Sequence, residues 1–165
     1  MALVRFVHRR SLLTEFGLGL PDRRWWWFCL GYLAVMHPIN WLYASDPQLL
    51  ARVPFYAPAR DGGLDFWAYQ ALVAVAMFGW EFILRGYMQF GLERRLGAAA
   101  ILVPLLPFVL LHFSYPPVEL FASILDGLFL GWLVYASRSL WPSVLVHVLQ
   151  NLLWEIEVVY WFSRG

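Results

Sequence analysis

The chain has no lysine, a single cysteine (Cys29) and only 14% charged residues. One cysteine excludes an internal disulfide and a thiolate metal cluster, so Cys29 is expected to pack as a small apolar side chain. Every strongly basic residue is arginine, which we read as a genome-composition effect rather than chemistry. A formal net charge of +1 offers no concentrated basic patch for phosphates and argues against nucleic acid as a partner. Polar residues are scarce overall: 61% of the chain is hydrophobic and the mean hydropathy is +0.60. That leaves too little polar surface to coat a soluble globule, so a lipid bilayer must cover the rest.

What is present reads as membrane spans. At roughly 20 apolar residues per crossing, the chain predicts an all-α, polytopic transmembrane helical bundle of about five spans. The stretch 1–24 mixes apolar residues with Arg5, Arg9, Arg10, Arg23 and Arg24 and reads as an N-terminal interfacial segment, not a cleaved signal. The membrane domain follows over 25–165. Its spans are expected at 25–45, at 64–95, at 97–113 with Pro104 and Pro107 suggesting a kink, at 118–136 and at 141–162. Pro, Gly and charges mark 46–63 as a loop. Arginines in short loops orient the chain with its N-terminus cytoplasmic and its C-terminus outside. Shortness and composition point to a bacterial inner membrane as the location.

Ionisable side chains in hydrocarbon cost about 2.5–3.5 kcal/mol each on insertion scales, so they turn to a bundle interior or a wet cavity. Here they fall into rows. Glu81 and Arg85 are four apart, as are Phe108 and His112, while His147, Asn151 and Glu155 follow one helical face. Glu81 with Arg85 reads either as a buried ion pair alone or as a general base with its partner. His112 and His147 read either as interhelical hydrogen-bonding groups or as site residues. Asp126 lies mid-span beside Gly127. Glu155 and Glu157, near a helix end, are expected to be solvated, and His37 has no spaced partner and reads as structural.

The motifs GWEFILRG (79–86), FVLLH (108–112) and HVLQN (147–151), in that order on three helices, resemble the three motifs of the CPBP family of intramembrane proteases, which includes the CAAX prenyl endopeptidases. The family pattern is Glu-Glu-x-x-x-Arg, then Phe-x-x-x-His, then His-x-x-x-Asn. The connectors GLFLG and SLWP are similar as well, and the resemblance covers about 75–155, with a family-like core at about 64–162. There is one departure. Trp80 stands where the family carries the first glutamate, the acid generally assigned as the base that activates water. Neighbouring helix positions differ by about 100°, so Glu81 cannot take that place without rotating its helix.

The resemblance implies an intramembrane endopeptidase acting on a membrane-embedded or membrane-associated protein or peptide. In that scheme Glu81 and His112 hold and deprotonate water, while His147 and Asn151 donate to the oxyanion. Arg85, Phe108, Trp80 and Asp126 stand around them as supporting residues. No cofactor is implied. A zinc site of Glu81, His112 and His147 is the lesser alternative, since HVLQN lacks the HExxH arrangement. The competing function is a catalytically inactive relative that binds membrane peptides or partner proteins.

Overall fold

The computed structural model describes residues 12–164; the first part of the expected interfacial segment, 1–11, lies outside the described residues. All regular elements among them are helical. A single turn, α1 (Leu12–Glu15), precedes the long helix α2 (Arg24–Tyr43), which tolerates Pro38 inside it. Asp46 caps the short α3 (Pro47–Leu50) by accepting the Gln48 N–H at 2.7 Å, with Pro47 in the first turn. A 3₁₀ turn at Ala57–Asp61 leads to Gly62 and Gly63, both at positive φ, and these release the chain into α4 (Gly63–Glu81).

Beyond Glu81 the helix widens into a π-helical segment, Phe82–Gln89, and then tightens again as α5 (Phe90–Leu96). Gly97, at φ +56°, ends α5 and sends the chain back through a 3₁₀ turn (Gly97–Ile101) into α6 (Leu102–Leu111), which packs on the π segment. The bundle closes with α7 (Pro117–Ser137) and α8 (Trp141–Phe162), each opened by a proline in its first turn.

The helices follow the expected spans within a few residues. The helical run Gly63–Leu111 and the helix Pro117–Ser137 are long and apolar enough to cross a bilayer. Trp27, Leu42, Leu72, Val75, Phe113 and Leu125 are each at least 70% exposed, an outward apolar surface of the kind a bilayer covers. The chain is a helical membrane protein.

The last helix, α8, is the hub, packed against α2, α4 and α7. Cys29 is fully buried on α2 and its thiol donates to the Pro142 carbonyl at 3.6 Å, so it packs inward as its size predicts. The helices α6 and α7 approach through small residues. A Cβ on Gly127 would stand 2.6 Å from Leu105 Cδ1 and 2.9 Å from Phe108 Cδ1, and one on Gly131 would stand 2.6 Å from Ile101 Cγ2. GLFLG is therefore a GxxxG contact face. The Gly131 carbonyl accepts from Gln89 Nε2 at 2.8 Å, tying α7 to the π segment.

Two sequence expectations need correction. Glu155 and Glu157 are not solvated; they are 3% and 2% exposed. The Glu155 carboxylate accepts from Gln70 Nε2 at 2.5 Å and from the Tyr69 hydroxyl at 3.1 Å, both on α4. Glu157 pairs with His37 across α2 and α8, so His37 does have a partner, one distant in sequence. The helix end lies farther out than these carboxylates, and its polar groups turn inward because the outer face belongs to lipid.

Candidate functional site

The site begins with Glu81, the last residue of α4, and Arg85, one turn on within the π segment. Both are fully buried. Arg85 Nη1 donates to Glu81 Oε1 at 2.9 Å. The rest of the guanidinium lies under the ring of Phe108, with Cζ 4.4 Å from its centroid, so a quadrupole and a carboxylate share the burial of one cation. A π segment widens the helix at the turn that carries Arg85, a distortion found often at functional sites.

Phe108 organises a second motif. Its carbonyl accepts from His112 Nδ1 at 2.8 Å. A carbonyl only accepts, so Nδ1 carries the proton and Nε2 is the bare acceptor of the neutral ring. The Phe108 ring also lies 4.9 Å from the His112 ring and 5.7 Å, edge on, from that of His147. Beyond His112, in the loop before α7, burial pushes the Tyr115 phenol up, so it keeps its proton.

His147 joins the third motif to the first. Its Nδ1–H donates to Glu81 Oε1 at 2.7 Å, reaching from α8 to α4. One carboxylate oxygen thus receives both the guanidinium and the imidazole, while Oε2 has no hydrogen-bond partner. One turn along α8, Asn151 Nδ2 is buried, and its amide interacts with the Glu155 carboxylate a further turn on.

A cavity of about 150 Å³ lies against these groups, lined by Phe108, His112, His147 and Asn151, and by Asp126 and Glu119 of α7. It has room for several waters at roughly 30 Å³ each. Glu81 is not among its lining residues; it sits behind His147. Trp80 also stands apart, 41% exposed on the outer side of α4. Of the residues singled out in the sequence, the structure therefore brings Glu81, Arg85, Phe108, His112, His147 and Asn151 into one cluster, with Asp126 of α7 lining the same cavity.

Sequence reasoning named Asp126 but missed four contributors, Tyr32, Gln150, Glu119 and Gln89. Asp126 is held by the Tyr32 hydroxyl of α2 and by Gln150 Nε2 of α8 at 3.0 Å. Glu119 lines the cavity, and Gln89 braces α7. Gln89 and Gln150 carried a readable signal, each being polar within a span and placed beside a motif residue or four positions from one. Nothing in the local pattern marks Tyr32. Among the described residues, no group of three or more His, Cys, Asp or Glu side chains is arranged to hold a metal ion.

A buried acid, guanidinium and imidazole from separate helices, set behind and around a small cavity lined by His112, His147, Asn151 and Asp126, define a helical membrane protein with a polar centre. Residues 62–153 match the family model described as type II CAAX prenyl endopeptidase Rce1-like, and the chain belongs to that family. Its members are CAAX-type intramembrane proteases. No curated protein and no solved structure matches the chain.

Proposed function

We propose that this protein is an intramembrane endopeptidase that hydrolyses a peptide bond of a membrane-associated protein or peptide. The observation that carries the reading is the convergence of His112, His147 and Asn151 on one cavity, with Glu81 fastened to His147 at 2.7 Å. His112 Nε2 accepts a hydrogen bond from the attacking water and orients it. Asn151 Nδ2, buried one turn beyond His147, donates to the carbonyl oxygen as charge develops there. Glu81 fixes the ring of His147 and stabilises the positive charge it takes on when both nitrogens carry protons, so that Nε2–H joins Asn151 at the oxyanion. In this geometry Glu81 acts through His147. Hydrolysis of this kind uses no cofactor, and we place the protein in a bacterial inner membrane with its N-terminus on the cytoplasmic side.

A second reading has one observation behind it. Trp80 replaces the family's first glutamate and lies away from the cavity, as it would in an inactive relative that only binds membrane peptides. Reconstitution into liposomes with a panel of membrane-anchored peptides separates the two. Cleavage lost in both His112→Ala and His147→Ala supports the peptidase; peptide binding without cleavage by the native protein supports the binding module.

A further inference from the structure

Hydrolysis requires a base in contact with water, and Glu81, sealed behind His147, does not touch the cavity. Three carboxylates do: Asp46, whose side chain caps α3 through the Gln48 N–H, and Asp126 and Glu119, both on α7. The two on α7 are seven residues apart, so they share a face but are separated by about 10.5 Å along the helix axis. Position tells them apart. Asp126 interacts electrostatically with His112, His147 and Arg85, whereas Glu119 interacts with Asp126 and Tyr115 and with neither imidazole.

The anchoring of Asp126 is also that of a working group. Its Oδ1 accepts from the Tyr32 hydroxyl and its Oδ2 from Gln150 Nε2, so α2 and α8 fix both oxygens. Each oxygen has a second lone pair, which leaves acceptor capacity for water. Arg85 neutralises Glu81, whereas Asp126 shares the Tyr-and-Gln anchoring of Glu155 but, unlike Glu155, lines the cavity. The direct partners of Asp126 are two neutral donors, and its open side faces the cavity and the imidazoles.

We propose that Asp126 is the water-activating base of this chain, lining the same cavity as His112, His147 and Asn151. This rests on the peptidase reading. The Asp126 carboxylate takes a proton from water as the water oxygen bonds to the scissile carbonyl carbon and the π pair moves onto the carbonyl oxygen, held by Asn151 and His147. Collapse re-forms the carbonyl and breaks the C–N bond. The proton on Asp126 passes to the departing nitrogen, giving a carboxylic acid and an amine with no other reactant.

The test uses the full chain in liposomes and a peptide that it cleaves. Asp126→Asn lowers kcat by about 10²–10⁴, the range of a lost general base, with KM within about threefold, and abolishes the acid limb of the kcat–pH profile. Asp126→Glu recovers part of the rate with a displaced acid limb, which a residue serving only to brace Tyr32 and Gln150 would not produce. If the Asn variant fails to fold, judged by its thermal melt in detergent, the acid limb of Asp126→Glu decides the matter, and an unmoved limb overturns the proposal. Glu119→Gln is expected to lose at least tenfold less than Asp126→Asn; the reverse order overturns it too. Native cleavage that needs His112 and His147 but persists in Asp126→Asn removes this inference and leaves the peptidase. If the native chain cleaves nothing, both fall together.

Discussion

His147 Nδ1 lies 2.7 Å from Glu81 Oε1, so a histidine late in the chain is oriented by an acid sixty-six residues earlier. The same oxygen receives Arg85 at 2.9 Å. Glu81 is thus shared between a cation that permits its burial and a ring that uses its charge.

These two duties separate experimentally. Glu81→Gln leaves the Arg85 guanidinium buried beside a neutral amide, and breaking such a pair costs about 3–5 kcal/mol of stability. It also frees the ring of His147, so cleavage falls. Adding Arg85→Met removes the stranded cation and should restore much of the stability without restoring cleavage. Thermal unfolding in detergent, measured beside kcat for the single and double variants, checks both halves. Equal recovery of stability and rate would make the acid a purely structural partner.

The close approach at Gly127 makes a second prediction. Its added Cβ would meet Phe108 Cδ1 at 2.9 Å and Leu105 Cδ1 at 2.6 Å, and overpacking of this kind costs about 1–3 kcal/mol. Phe108 also covers Arg85 and holds His112 through its carbonyl. Gly127→Ala should therefore lower cleavage more than its loss of stability explains. Gly91→Ala, where a Cβ meets nothing within 4 Å, serves as the control and should leave both melt and rate near native.

Much of this arrangement was legible in the residues. Lipid rejects polar groups, so four-residue spacings such as Glu81 to Arg85 and His147 to Asn151 mark inward faces in the sequence itself. The helix boundaries followed for the same reason. Depth was not legible. Glu155 and Glu157 near a helix end read as solvated, because a one-dimensional pattern cannot show that Gln70, Tyr69 and His37 on other helices reach them. Spacing likewise could not show that Glu81 lies behind His147 rather than beside the water, or that Tyr32 anchors Asp126, since such pairs are made by packing between distant segments.

Activity should survive metal chelation. His112 Nδ1 and His147 Nδ1 are each committed to an oxygen of the protein, and the proposed chemistry runs on side chains alone. Treating the reconstituted protein with a strong zinc chelator, then adding zinc back, should change kcat by less than about twofold. Loss on chelation with recovery on zinc would replace the scheme by metal-assisted hydrolysis.

Trp80 gives the sharpest prediction, because the family resemblance and the geometry pull in different directions. The resemblance makes position 80 the place of a missing acid, so that Trp80→Glu ought to create or raise activity. The structure places this side chain 41% exposed on the outer side of α4 and away from the cavity. There a carboxylate meets lipid at a cost of about 2.5–3.5 kcal/mol and has no water to activate. Trp80→Phe should therefore retain native cleavage, while Trp80→Glu should lower stability with no gain in kcat, and should not rescue Asp126→Asn. A tenfold rise in cleavage by Trp80→Glu would mean that α4 rotates to bring position 80 inward, and that the native chain is the inactive relative.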